Sequence, residues 1–251
     1  MRPDMLPDTS PTKPQTVEDV ENALAAVRAK RGYLLPHHGL LAVSAPGLLA
    51  AYDATYTEMT LKTRVMSERE KEIVWMIVLV STQEAIATHH IDRLIKGGGK
   101  IEDVSSALAL SAWAEGAGMH RFVGDHWGLH LPDYEPVASY RAGLDKLIDG
   151  TGIEPWIVEV GLAAAHQCHR RWEWVAEHIR GAYREGASED ALAEGLSLAM
   201  FPGGVPNFVD ACDLWRELIS KGEIEASPSY AAWARLTGQG GFDEAVGLSP
   251  E

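Results

Sequence analysis

Two adjacent histidines, His89 and His90, stand in the stretch "ATHHIDRLIKGGGKIEDV", where a helical pattern runs into three glycines. On a helix expected over 84–96, residues three and four apart share a face. Gln83, Ile86, Ala87, His90 and Leu94 then form a mostly apolar stripe, and Ala85, His89, Asp92, Arg93 and Lys96 lie on the wet side. His90 points inward and His89 outward. His178 repeats the pattern, with Trp174, Val175 and Ala182 on its apolar stripe and Glu173, Glu177, Arg180 and Arg184 opposite. An inward imidazole has two readings: a core histidine whose ring nitrogens are satisfied by neighbours, or a proton-transfer group. Other histidines cluster too. "HQCH" holds His166 and His169 at an i, i+3 spacing that could touch one metal ion. His178 lies too far along the same expected helix, 155–184, to join them, and two ligands make no site, so no metal is expected. In "GMHRFVGDHWGLH", Arg121 could hold a substrate carboxylate in a bidentate pair, or could sit on a solvated edge beside His120. His37 and His38 follow Pro36 and either cover a pocket or start a helix.

The elements that must position these groups read as helices throughout. Thr16 with Asp19, and Ser67 with Glu70, are capping-box pairs ahead of helical runs; Gly32 is a C-terminal stop. Ser44 is expected to cap a helix in "SAPGLLAAYDATYTEM". Ile73 to Val80 is apolar on every side, which marks a central, buried helix. Further helices are expected near 101–115, 135–149, 188–200, 206–221 and 228–236. No stretch alternates as a strand does, so the class is all-α.

Shifting the chain by 88 residues lays His90 on His178, Ile91 on Ile179, Gly98 on Gly186, Leu108 on Leu196, Leu110 on Leu198 and Gly116 on Gly204. In each copy a histidine-bearing helix ends in glycine, the next begins with an acidic turn (Glu102, Asp190), and a glycine pair closes it. The expectation is a tandem duplication with two similar halves: a disordered tail over 1–16, a first repeat with lead-in helices over 17–134, and a second repeat with a C-terminal extension over 135–251.

"HHIDRLIKGGGKIEDVSSALALSAWAEGAGMHRF" resembles the carboxymuconolactone decarboxylase and alkylhydroperoxidase D-like family, and so does "HIRGAYREGASEDALAEGLSLAMFPGGVPNFVDACDLW". The resemblance covers roughly residues 36–125 and 155–221. It implies a duplicated helical bundle. Peroxidase members carry a CxxC pair seven and four residues before the histidine, and those positions here are Gln83 and Ile86, or Arg171 and Trp174. Without thiols the peroxidase reaction is not expected. The decarboxylase branch, by resemblance, removes carbon dioxide from a small unsaturated lactone acid with no organic cofactor and no metal. The family's glutamate falls at Lys71, flanked by Glu70 and Glu72, and a one-residue shortening of the turn brings Glu72 into place. In the second copy the region holds Val158, Glu159 and Val160, and that copy is expected to be the less complete. His90 is then the proton donor or enolate partner, Glu72 or Glu84 sets its tautomer, and Gln83 donates a hydrogen bond. Glu72 and Glu84 could equally be helix first-turn residues favoured by the dipole. Arg121, His120, His178 and Trp174 are candidates to line the substrate.

Composition narrows the partners. The 251 residues carry 22 basic and 36 acidic side chains, a formal charge of −14, which repels phosphate backbones and anionic lipid. The longest apolar run, Ile73–Val80, is far short of the roughly 20 residues that span a bilayer. Neither nucleic acid nor membrane is an expected partner. Two cysteines without CxxC spacing fit a reducing, cytoplasmic setting. A helix apolar all round, together with "GLLAVSAPGLLAAY", predicts a homo-oligomer, a dimer or trimer, with the site near a subunit boundary. The competing reading is a non-catalytic helical scaffold or small-ligand binder.

Overall fold

The computed structural model describes residues 13–14 and 16–248, and among them there is helix and no strand. The tail expected over 1–16 lies outside the described residues except for Lys13, Pro14 and Thr16. The chain divides into two compact units, at residues 1–62 and 63–251.

The first unit contains α1 (Val17–Arg31), α2 (Pro36–Ser44), α3 (Pro46–Tyr56) and a π-helical turn, Thr57–Leu61. Thr16 Oγ1 accepts from Asp19 N at 3.1 Å and Asp19 Oδ2 accepts from Thr16 N at 3.0 Å, the reciprocal box that starts α1. Ser44 closes α2 rather than capping the next helix; Ala45 fills that place, and Pro46 supplies the fixed φ of a helix start. His38 serves the start of α2. Its Nδ1 accepts the Leu35 N–H at 3.0 Å, which leaves the ring proton on Nε2, 3.1 Å from Arg31 Nη1. Burial, then His37 and Arg31, lower its pKa to about 4, so it stays neutral as an acceptor must.

The second unit contains α4 (Glu68–Ser81), α5 (His89–Lys96), α6 (Ile101–Glu115), α7 (Ala117–Trp127), α8 (Pro136–Thr151), α9 (Pro155–Cys168), α10 (Trp172–Arg184), α11 (Glu189–Leu198), α12 (Met200–Gly203), α13 (Val205–Ser220), α14 (Pro228–Ala234) and α15 (Gly241–Ala245). At its centre α4 packs on α9, with α5 and α6 against α4, and α10 and α11 against α9. Gly161 permits the close approach, since a Cβ there would meet Ile77 Cδ1 at 2.6 Å. The Ser67–Glu70 box starts α4, and Ile73 through Leu79 are buried within the one chain. The apolar run of α4 is therefore covered without a second subunit, which removes that premise for an oligomer.

Two boundaries differ from the sequence pattern. The helix expected over 84–96 begins at His89, so Gln83, Glu84 and Ile86 belong to an exposed connection. The helix expected over 155–184 is two helices that reverse at His169–Arg171. Each break is made by a non-glycine residue at positive φ, Gln83 at 56° and Arg170 at 57°. Beyond each, an amide reaches back to close the preceding helix: Glu84 N to Leu79 O at 3.0 Å and Arg171 N to His166 O at 3.1 Å. Helix ends of this kind normally advertise themselves with glycine; here neither does.

Candidate active site

The inward face of α5 brings His90 against α4. His90 Nδ1 lies 2.6 Å from Glu72 Oε2, with the carboxylate fully buried and the imidazole side chain 3% exposed. A carboxylate only accepts, so Nδ1 carries the proton and Nε2 is turned to the opposite side of the ring. Arg93, one turn along α5, donates from Nε to Glu72 Oε1 at 2.6 Å and also pairs with Glu68. That guanidinium balances a carboxylate which would otherwise be stranded out of water. Trp75, one turn beyond Glu72 on α4, sets its indole 4.7 Å from the His90 ring. Its Nε1–H is buried and has no hydrogen-bond partner, a state that native interiors rarely tolerate. An imidazole held through Nδ1 and an indole with an unpartnered N–H thus lie together beside a buried carboxylate.

The second half repeats the pair and closes it. His178 Nδ1 donates to Glu159 Oε2 at 2.7 Å, and Tyr140 of α8 donates its hydroxyl to His178 Nε2 at 2.9 Å. Arg141 reaches Glu159 with one arm and Glu177 Oε1, at 2.6 Å, with another. Burial alone would raise the Glu159 carboxyl, but His178 and Arg141 more than offset this and hold it below its usual range. Burial lowers His178, with Glu159 opposing. Helix α10 passes so close that a Cβ on Gly181 would sit 2.1 Å from Glu159 Oε2. Trp174 packs 4.5 Å from the Tyr140 ring. Both nitrogens of His178 are committed and its side chain is fully buried. In the second copy, expected to be the less complete, the Glu159–His178 pair is fully formed but leaves no free imidazole nitrogen.

The other sequence candidates go elsewhere. Glu84 and Gln83 are exposed on the connection before α5, so Glu84 is no first-turn residue and cannot orient His90 as Glu72 does. Arg121 pairs with Asp125 at 3.3 Å and Glu173 at 3.2 Å on an exposed surface. His120 Nδ1 meets the Tyr134 hydroxyl at 2.8 Å, and burial lowers its pKa. In "HQCH" the imidazoles part company: His169 Nε2 contacts Ser81 Oγ at 2.9 Å, and His166 turns into the core. Among the described residues no group of three His, Cys, Asp or Glu is placed to hold a metal ion. Arg93 and Trp75 were missed in sequence, although each stands three residues from a candidate, at i+3 from His90 and from Glu72. Tyr140 and Arg141 left no such signal, because they arrive from α8.

The reversal at Arg170 folds His178 back beside His166, their rings 5.2 Å apart and nearly parallel. Neither His166 nitrogen has a partner. Burial, followed by the neighbouring His178 and Arg171, holds its pKa well below the usual value. The unfolded chain therefore binds protons below about pH 6.5 that the folded chain refuses, and stability present above that pH is lost as pH falls. The expected slope for His166 approaches about 1.4 kcal/mol per pH unit. Urea midpoints between pH 7 and pH 5 should show it, and His166→Leu should flatten the curve and gain stability at pH 5. An unchanged slope in the variant would show that His166 is protonated or hydrated in the fold.

An all-helical bundle with a buried carboxylate–imidazole pair in each half is the class that fold and site define. Residues 157–217, spanning α9 into α13 and including Glu159 and His178, match the model of the carboxymuconolactone decarboxylase family. No curated protein and no solved structure matches the chain.

Proposed function

We propose that the protein is a cofactor-independent decarboxylase acting on a small unsaturated carboxylic acid or lactone, with its working site at Glu72, His90 and Trp75. The carrying observation is the buried Glu72–His90 pair with the partnerless Trp75 N–H beside it. In the reaction, the bond to the substrate carboxylate breaks and its electron pair moves into the conjugated carbonyl as carbon dioxide leaves. Trp75 Nε1–H donates to the enolate oxygen that develops. His90, protonated at Nε2 and steered by Glu72 through Nδ1, returns one proton to carbon and so completes the exchange. Neither cysteine competes as a nucleophile: burial pushes the Cys168 thiol up to about 12 and the Cys212 thiol up to about 11. The test is release of carbon dioxide from a panel of unsaturated lactone acids, compared with His90→Ala. No release from any of them, or equal release from the variant, removes the proposal.

The recurrence of helix order, of the positive-φ breaks and of the Glu–His pair supports reading 17–134 and 135–251 as duplicated halves, of which the second is retained as scaffold because Tyr140 seals it. This gives one site per chain and assigns the scaffold reading to one half only. Two free cysteines are compatible with a reducing compartment, and no helix among the described residues is long and apolar enough to cross a membrane. Self-association rests on exposed apolar side chains, Leu40 and Leu48 in the first unit and Leu108 and Phe122 in the second. Light scattering is expected to give a dimer or trimer; a mass near 27.3 kDa at all dilutions contradicts it.

A further inference from the structure

The C-terminal helices border an open pocket that the Glu72–His90 chemistry does not use. It has a volume of about 390 Å³, with Leu196, Phe208, Trp215 and Trp233 in its wall, which is the size and lining of a small-molecule site. The aromatic rings there have their polar edges tied down elsewhere. Trp215 Nε1–H donates to the Tyr183 hydroxyl at 3.0 Å, and the Tyr230 hydroxyl donates to Asp190 at 2.8 Å. Trp215 lies 5.1 Å from Tyr230, stacked, and 5.5 Å from Trp233, edge-on. What the rings leave to an occupant is apolar surface.

A second cavity, about 450 Å³, adjoins the first: Ser229 and Tyr230 line both. Its wall is acidic, with Glu189, Asp190 and Glu225. Glu189 accepts from the Tyr183 hydroxyl and from Ser227 N, and Asp190 from Tyr230. All these donors are neutral, so three carboxylates face one opening beside an aromatic chamber without a positive charge among its lining residues. An anionic acid of the kind handled at His90 would be repelled here, more so in a chain of net charge −14.

We propose that the two cavities form one binding site for a small organic cation with a flat apolar body, an arylalkylamine, whose ring lies among Trp215, Trp233 and Phe208 and whose ammonium sits among Glu189, Asp190 and Glu225. Tyr230, common to both chambers, offers its ring face to the cation. The site is separate from the proposed decarboxylase centre and stands or falls independently of it.

Calorimetric titration of the full chain with tryptamine, indole and indole-3-acetate tests this, because the three share one ring system and differ in charge. Tryptamine is expected to bind saturably and indole more weakly. Indole-3-acetate should bind at least about tenfold more weakly than tryptamine, the combined effect of several charges at short range. Ser229→Trp, on an exposed position that lines both chambers, should abolish tryptamine binding. Glu225→Gln, equally exposed, should weaken tryptamine about threefold, the size of one exposed charge pair, and leave indole unchanged. Absence of saturable tryptamine binding at millimolar concentration, equal binding of the acetate, or binding untouched by Ser229→Trp would each overturn the proposal. His90→Ala should leave all three titrations unaltered, and a change there would place the ligand at the wrong site.

Discussion

His90→Ala is expected to lower the rate of carbon dioxide release by about 10²–10⁴-fold, the usual contribution of a positioned general acid. The ring is the one group that links the buried Glu72 carboxylate to the opposite face, through Nδ1 at 2.6 Å. Alanine cannot carry a proton, and water at that position would have no fixed Nδ1 contact to orient it. Trp75→Phe keeps the apolar bulk and removes only the N–H that lacks a partner; it is expected to lower kcat by about a hundredfold with little change in KM, as loss of a transition-state donor does. Two controls separate chemistry from folding. Tyr140→Phe removes the hydroxyl from His178 in the second half and should leave turnover unchanged. His89→Ala should also leave it largely intact. Losses of equal size in His90→Ala and Tyr140→Phe would mean that both pairs serve the fold and that neither is the working site.

Arg141→Ala is expected to destabilise the second unit by about 3–5 kcal/mol, the cost of stranding a buried charge whose partner is removed. The side chain is 10% exposed and touches the Glu159 carboxylate, the Glu177 carboxylate and the Glu177 carbonyl. Its loss leaves the Glu159 carboxylate with His178, whose pKa burial keeps low, and with Arg184 only at 3.8 Å, while Glu177 keeps Arg180 at 3.6 Å. The urea midpoint measures the effect, and a fall of about 10 °C in Tm should accompany it for a unit of this size. Adding Glu159→Gln should recover part of the loss, since the amide oxygen still accepts from His178 Nδ1–H and carries no charge. A loss under about 1 kcal/mol, the range of exposed pairs, would show that water reaches Glu159.

The inward setting of His90 and the core setting of His178 are both legible in sequence, because side-chain direction on a helix follows from spacing alone. The same holds for the Thr16 and Ser67 caps, whose partners are three residues away. The stripe failed one turn earlier, at Gln83 and Ile86, where the chain is not yet helical. It failed also at "HQCH", where a helix pattern without glycine or proline concealed the reversal at Arg170. Continuous apolar periodicity across a break is what two helices packed in one core produce, so the pattern carried no mark of it.

The sequence by itself determined the all-α class, the caps and the faces on which the histidines lie, since each depends on residues within one helical turn. Only the tertiary structure decided what each imidazole meets. Glu72 stands 18 residues from His90, and Tyr140 stands 38 from His178; no local periodicity reports on contacts between different helices. What meets each ring therefore depends on which helices pack against it: at His178 α8 brings the Tyr140 hydroxyl onto Nε2, and at His90 α4 brings Glu72 onto Nδ1 and the Trp75 indole to 4.7 Å.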